Sequence, residues 1–179
     1  MFAAKNSFFC SATAFSPLSL TPDLWLDASD GSTLWDSVIG GSNSTNGGVV
    51  ARWEDKSGNA RNATQSTGVS QPLLNVASGK NSVKYDGTND FMDGNIGTLL
   101  SNISAFSYVA FLKTTAGTQA FFSNGQNGVF TNDILIAMSG TTLFAQVNNS
   151  ADGSATMTYA IPAGYFHLAL VFDGTQTGN

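Results

Sequence analysis

The chain has 179 residues, 42% of them hydrophobic and 11% charged; it is long enough to bury one sizeable core, and its 13 phenylalanines exclude intrinsic disorder. A net charge of −5, with seven Lys and Arg scattered from Lys5 to Lys113, excludes the basic stripe of a nucleic-acid binder. The single cysteine, Cys10, excludes an internal disulfide framework, and no apolar run approaches the roughly 20 residues of a membrane-spanning helix.

In chain order, residues 1–17 open with "MFAAKNSFFCSATAF", an apolar cluster broken by Ser and Thr that makes a poor signal peptide. They read as an N-terminal arm or leader, and 18–179 as a single domain. No stretch sustains helical periodicity. Short runs with two-residue alternation recur instead between clusters of Gly, Asn, Asp and Ser, the pattern of an antiparallel sandwich or barrel. The predicted strands are Leu24–Asp27, Val49–Glu54, Ser82–Asp86, Ala105–Lys113, Ala120–Ser123, Ile134–Met138, Thr142–Asn148, Ala155–Ile161 and Tyr165–Asp173.

Between the first two strands, "GGSNSTNGG" (Gly40–Gly48) is a surface loop by composition. "AFSYVAFLK" is apolar on both faces, which suits a central strand. "YFHLALVFD" sets Phe166, Leu168, Leu170 and Phe172 on one face and His167, Ala169, Val171 and Asp173 on the other. Phe106, Tyr108 and Leu112 are expected to join the first of these faces in one inter-sheet core.

The segments "LSLTPDLWLDASD", "ARWEDKSGNARNATQ", "QPLL", "VKYDGTNDFM" and "FHLALVFDG", in this order from Leu18 to Gly174, together resemble the concanavalin A-like, or laminin-G-like, jelly-roll domains of phage virion proteins and of bacterial surface or secreted proteins. The resemblance implies an all-β jelly-roll β-sandwich of two antiparallel sheets, often with a bound calcium and sometimes a glycan site. In such domains the strand like "HLALVFDG" is followed by a hairpin and further strands. The resemblance therefore also implies a sandwich cut short at its C-terminus, or one completed by another segment.

Glycosidases on this type of fold carry two glutamates and an intervening aspartate on one strand, because hydrolysis needs two carboxyl groups flanking the scissile bond. This chain has a single glutamate, Glu54. Its neighbour Asp55 would point to the opposite face of a strand. Asp55, Ser57, Gly58 and Asn59 read better as a turn in which Asp55 accepts from backbone N–H groups and Gly58 supplies a positive φ.

Calcium takes six to eight oxygen ligands, and Asp86, Asn89, Asp90 and Asp93 in "YDGTNDFMD" are its candidate ligands, with Asp173 a further contributor. The alternative is a turn in which these side chains satisfy backbone groups. His167, the single histidine, has no acidic or thiol neighbour at ligand spacing and reads as structural. Cys10 reads as a small apolar residue.

The expected function is therefore a non-catalytic carbohydrate-binding or adhesion module on a phage virion or another extracellular or cell surface. Its partners would be a glycan or a neighbouring structural protein, with homo-oligomer formation open. A purely structural virion or decoration protein is the alternative, and a glycan-cleaving enzyme the weaker one.

Overall fold

A computed structural model describes residues 15–94, 96, 105–114, 117–123, 133–149, 153–161 and 164–173. Cys10 and most of the predicted N-terminal arm lie outside them. The fold is all-β with antiparallel pairing throughout, and the chain forms two compact units: Met1–Lys84 with Phe91–Asp93, and Tyr85–Asp90 with Gly94–Asn179.

The first unit is built from short pieces. Strands β1 (Leu34–Trp35), β2 (Arg52–Trp53) and β3 (Ala63–Thr64) form one sheet in that order. Strands β4 (Leu73–Ala77) and β5 (Lys80–Lys84) form a hairpin. Its two-residue turn, Ser78-Gly79, has positive φ at both positions (51° and 72°), the conformation whose twist matches that of the flanking strands. Leu34, Val50 and Leu74 are the buried centre, with Trp53, Val83 and Met92 packed against them.

Two predicted strands shrink here. Leu24–Asp27 reduces to a single bridge, Leu26 to Asp55. Val49–Glu54 keeps only Arg52–Trp53 as a strand, because Val50 donates from its backbone N to Pro72 O (2.8 Å) while Ala51 donates to Trp35 O (2.8 Å). The segment thus divides its hydrogen bonds between two partners. The predicted Ser82–Asp86 lies instead at Lys80–Lys84, which leaves Tyr85 and Asp86 to the following turn.

The second unit has longer strands: β6 (Ala105–Thr114), β7 (Gln119–Ser123), β8 (Asp133–Ser139), β9 (Thr142–Asn149), β10 (Gly153–Ala160) and β11 (Gly164–Asp173). Each lies within two residues of its prediction at both ends. One sheet has the order β10-β9-β8-β7, and β6 pairs with β11 along its whole length, Gly164 opposite Thr114 and Asp173 opposite Ala105. The two sheets enclose one core, which makes this unit a β-sandwich. Ile134, Ile136 and Met138 of β8 alternate into it and meet Leu143 of β9 and Leu168 of β11.

Phe106, Tyr108, Leu112, Phe166 and Leu170 line the same core as expected, and Phe172 stacks on Phe106 at 5.5 Å between ring centroids. Burial pushes the Tyr108 hydroxyl up to about 12. The placement of β6 differs from the sequence expectation. Both its faces are apolar, yet among the described residues it pairs only with β11, and its outer face carries exposed Val109 (75%) and Phe111 (61%). Among the described residues of this unit, only one face of β6 has a sheet opposite it.

Candidate functional site

Among the described residues, three places carry side chains that could do chemistry. At the first, Glu54 follows β2 and forms an ion pair with Arg52 two residues back (3.3 Å), as same-face neighbours on an extended segment do. Asp55 is committed to the backbone. Its Oδ1 accepts from Trp25 N (2.9 Å) and Ser57 N (2.9 Å), and its Oδ2 from Ser57 Oγ (2.7 Å) and Arg61 N (3.1 Å).

Gly58 follows with φ of 92°, and Asn59 N donates to Ser57 Oγ (3.2 Å), so the turn read from the sequence is present in all four residues. Desolvation works to raise the Asp55 carboxyl, but the bonds from Trp25, Ser57 and Arg61 outweigh it and hold it below the usual carboxylate range. A carboxylate used in this way stabilises a loop and is poorly placed to take a proton from substrate.

Beside it lies a network that the sequence did not announce. Lys56 Nζ bridges Asp27 (3.0 Å) and Asp30 (2.9 Å) and sits 4.6 Å above the Trp25 ring. Hydrogen bonds from Ser32 and then Lys56 hold Asp30 down to about 2, and those from Lys56 to Asp30 and Asp27 raise the lysine. One ammonium thus serves two carboxylates.

At the second place, Asp86, Asn89 and Asp90 share one turn. Asp86 Oδ1 accepts from the backbone N–H of Thr88 (2.7 Å), Asn89 (3.2 Å) and Asp90 (3.3 Å), and Asp90 Oδ2 accepts from Asp86 N (2.8 Å). These bonds, led by that from Thr88, lower the Asp86 carboxyl. Asp93 belongs to the other unit, where its backbone exchanges hydrogen bonds with Thr64 (2.8 and 2.9 Å). The side chain of Asp173 lies outside the described residues.

Among the described residues no group of three or more His, Cys, Asp or Glu converges as a metal site. Asp86 has the geometry of a turn former, with one oxygen occupied by three backbone donors. Asp86→Asn is accordingly expected to lower the melting temperature equally in millimolar calcium and in chelator. A rise in wild-type melting temperature with calcium would instead assign these carboxylates to the metal, which stabilises by binding only the folded state.

The third place is the outer face of the β6–β11 pair. The register sets Phe111 opposite His167 and Lys113 opposite Tyr165. Phe111 and Tyr165 stack with centroids 5.6 Å apart and planes 11° from parallel, and the His167 ring lies 4.6 Å from Phe111. Lys113 Nζ sits 5.1 Å from the Tyr165 centroid. Phe111 and Tyr165 are each more than half exposed (61% and 63%).

A polar, an aromatic, an aromatic and a cationic side chain thus lie side by side in solvent. The exposed apolar surface of the two stacked rings offers dispersion contact to C–H groups, while the ends of the row supply hydrogen-bond donors that orient a ligand. His167 lies within this row and faces away from the core. The sequence does not bring these residues together, because only the strand register does. Comparison of the chain with protein families, with curated proteins and with solved structures returns no match.

Proposed function

We propose that this protein is a non-catalytic carbohydrate-binding or adhesion module of the concanavalin A-like type, displayed on a phage virion or a bacterial surface. The observation that carries the reading is the exposed row of Phe111, Tyr165, His167 and Lys113 on the outer face of the β6–β11 pair. A pyranose ring is amphipathic: its C–H groups would pack on the exposed apolar surface of the stacked Phe111 and Tyr165, and its hydroxyls would reach flanking donors such as Lys113 and His167. The commitments of Glu54 to Arg52 and of Asp55 to its turn favour binding over hydrolysis.

The test is a glycan array probed with wild type and with Phe111→Ala and Tyr165→Ala. Wild type is expected to bind, and each truncation to weaken the signal about tenfold, a loss of about 1.4 kcal/mol. Full retention by both variants would remove the row from the site, and silence of wild type across the array would remove the glycan.

A second reading, a structural or decoration protein, draws on a different feature. The same face continues into exposed Val109 (75%) and Val171 (81%), which have no hydrogen-bonding capacity and suit a protein surface. Assembly onto a particle without glycan binding would favour it.

A further inference from the structure

We propose that β11 is a homodimerisation edge: two copies of this chain pair their β11 strands antiparallel about a two-fold axis at Ala169, joining their β6–β11 pairs into one four-stranded sheet. A strand edge is a template for another strand unless charge, proline, a bulge or shortness blunts it. Among the described residues the edges of this sandwich differ in that respect.

Strand β7 is irregular, with a register shift between Ala120 and Phe122. Strand β10, "GSATMTYA", is rich in Gly, Ser and Thr, and β6 carries Lys113. Strand β11 spans ten residues, Gly164–Asp173, pairs only with β6 among the described residues, and contains no Lys, Arg or Pro, with its single acid at its last position. It is the long and unguarded edge.

The occupant follows from the pattern of β11 itself. Paired residues in a sheet must share a face, since a slip of one residue turns every side chain over. An antiparallel pair of identical strands meets this condition only when the axis passes through a residue. An axis at Ala169 is one of the two registers nearest the strand centre. It opposes Leu168 to Leu170 and Phe166 to Phe172 of the second copy, so the buried row of one protomer continues as the buried row of the other.

On the outer face the axis carries Ala169, which is exposed, and the identical small side chains meet there without crowding. The contact is isologous and closes at two copies, as a two-fold interface must. It uses the strand edge and leaves the outer face open, so it holds whether or not a glycan is the ligand. Where a glycan is bound, the dimer presents two aromatic rows on one surface and converts the second contact of a repeating polymer into an intramolecular one.

Sedimentation equilibrium of the full chain over a range of concentrations provides the test, together with two variants at the exposed axis position. Wild type is expected to dimerise with concentration. Ala169→Lys sets like charges across the axis and is expected to weaken the dimer about fivefold, the equivalent of about 1 kcal/mol for a repulsive cross-strand pair. Ala169→Cys, close in size to alanine, is expected to give a covalent dimer with a short bismaleimide in a Cys10→Ser background. A wild type that stays monomeric up to millimolar concentration overturns the proposal. So does a dimer that is indifferent to Ala169→Lys and gives no cross-link through Ala169→Cys.

Discussion

Replacing Leu168 by alanine is expected to destabilise the second unit by about 2–5 kcal/mol, the range for removing a large aliphatic side chain from a packed core. Leu168 is the buried residue through which β11 meets the opposite sheet, where Ile134, Ile136, Met138 and Leu143 face it. The alanine would leave a cavity that strands paired along eight to ten residues cannot close by shifting. Urea denaturation followed by circular dichroism measures the loss. Val171→Ala, on the exposed side of the same strand, is the control and is expected to change stability by less than about 0.5 kcal/mol. Equal losses from the two substitutions would place the core on the wrong face of β11.

Asp55→Ala is the second large effect, expected at about 2–3 kcal/mol because it removes an ionised acceptor and leaves several donors to find new partners. The carboxylate ties residue 25 to residues 57 and 61, so its loss frees two segments at once. The same carboxylate gives stability a pH dependence of definite sign. Its folded value lies below the ordinary 3.8, so its contribution is fully present above that value and is lost as the pH falls through the lower folded one. Melting temperatures of wild type should therefore fall below pH 4 more steeply than those of Asp55→Ala. Parallel acid profiles would show that the bonds to Trp25, Ser57 and Arg61 contribute nothing.

The parts legible from sequence are those with a long enough period or a complete local motif. The alternation of β8, β9 and β11 runs over seven to ten residues, and their ends fall close to expectation because Gly and Asn clusters bound them. Asp55, Ser57, Gly58 and Asn59 form a turn from contiguous residues, so all the information is local. Strands of two residues, such as β1 and β3, have no period to detect.

The outer face of β6 was misleading for another reason. Val109 and Phe111 are the residue types of a strand buried on both sides, and nothing local distinguishes a covered apolar face from an open one. The aromatic row was invisible for the same cause at longer range. Phe111 and Tyr165 meet only because the β6–β11 register sets Phe111 against His167 and Lys113 against Tyr165. The Asp86 to Asp93 cluster is contiguous in sequence but is shared between the units, with Asp86, Asn89 and Asp90 in one and Asp93 in the other.

The division into units has a spectroscopic consequence. All three tryptophans, Trp25, Trp35 and Trp53, belong to the first unit, and the second carries only phenylalanine and tyrosine as aromatic side chains besides His167. Indole emission excited at the red edge of absorption therefore reports the first unit alone. Two of its sources also have a cation near the ring face, Lys56 over Trp25 and Arg52 over Trp35 at 4.6 Å each. The far-ultraviolet amide signal is weighted the other way, toward the six strands of five to ten residues in the second unit. The protein thus carries a native optical label on one half, and indole emission can follow the melting of that half without any engineered chromophore.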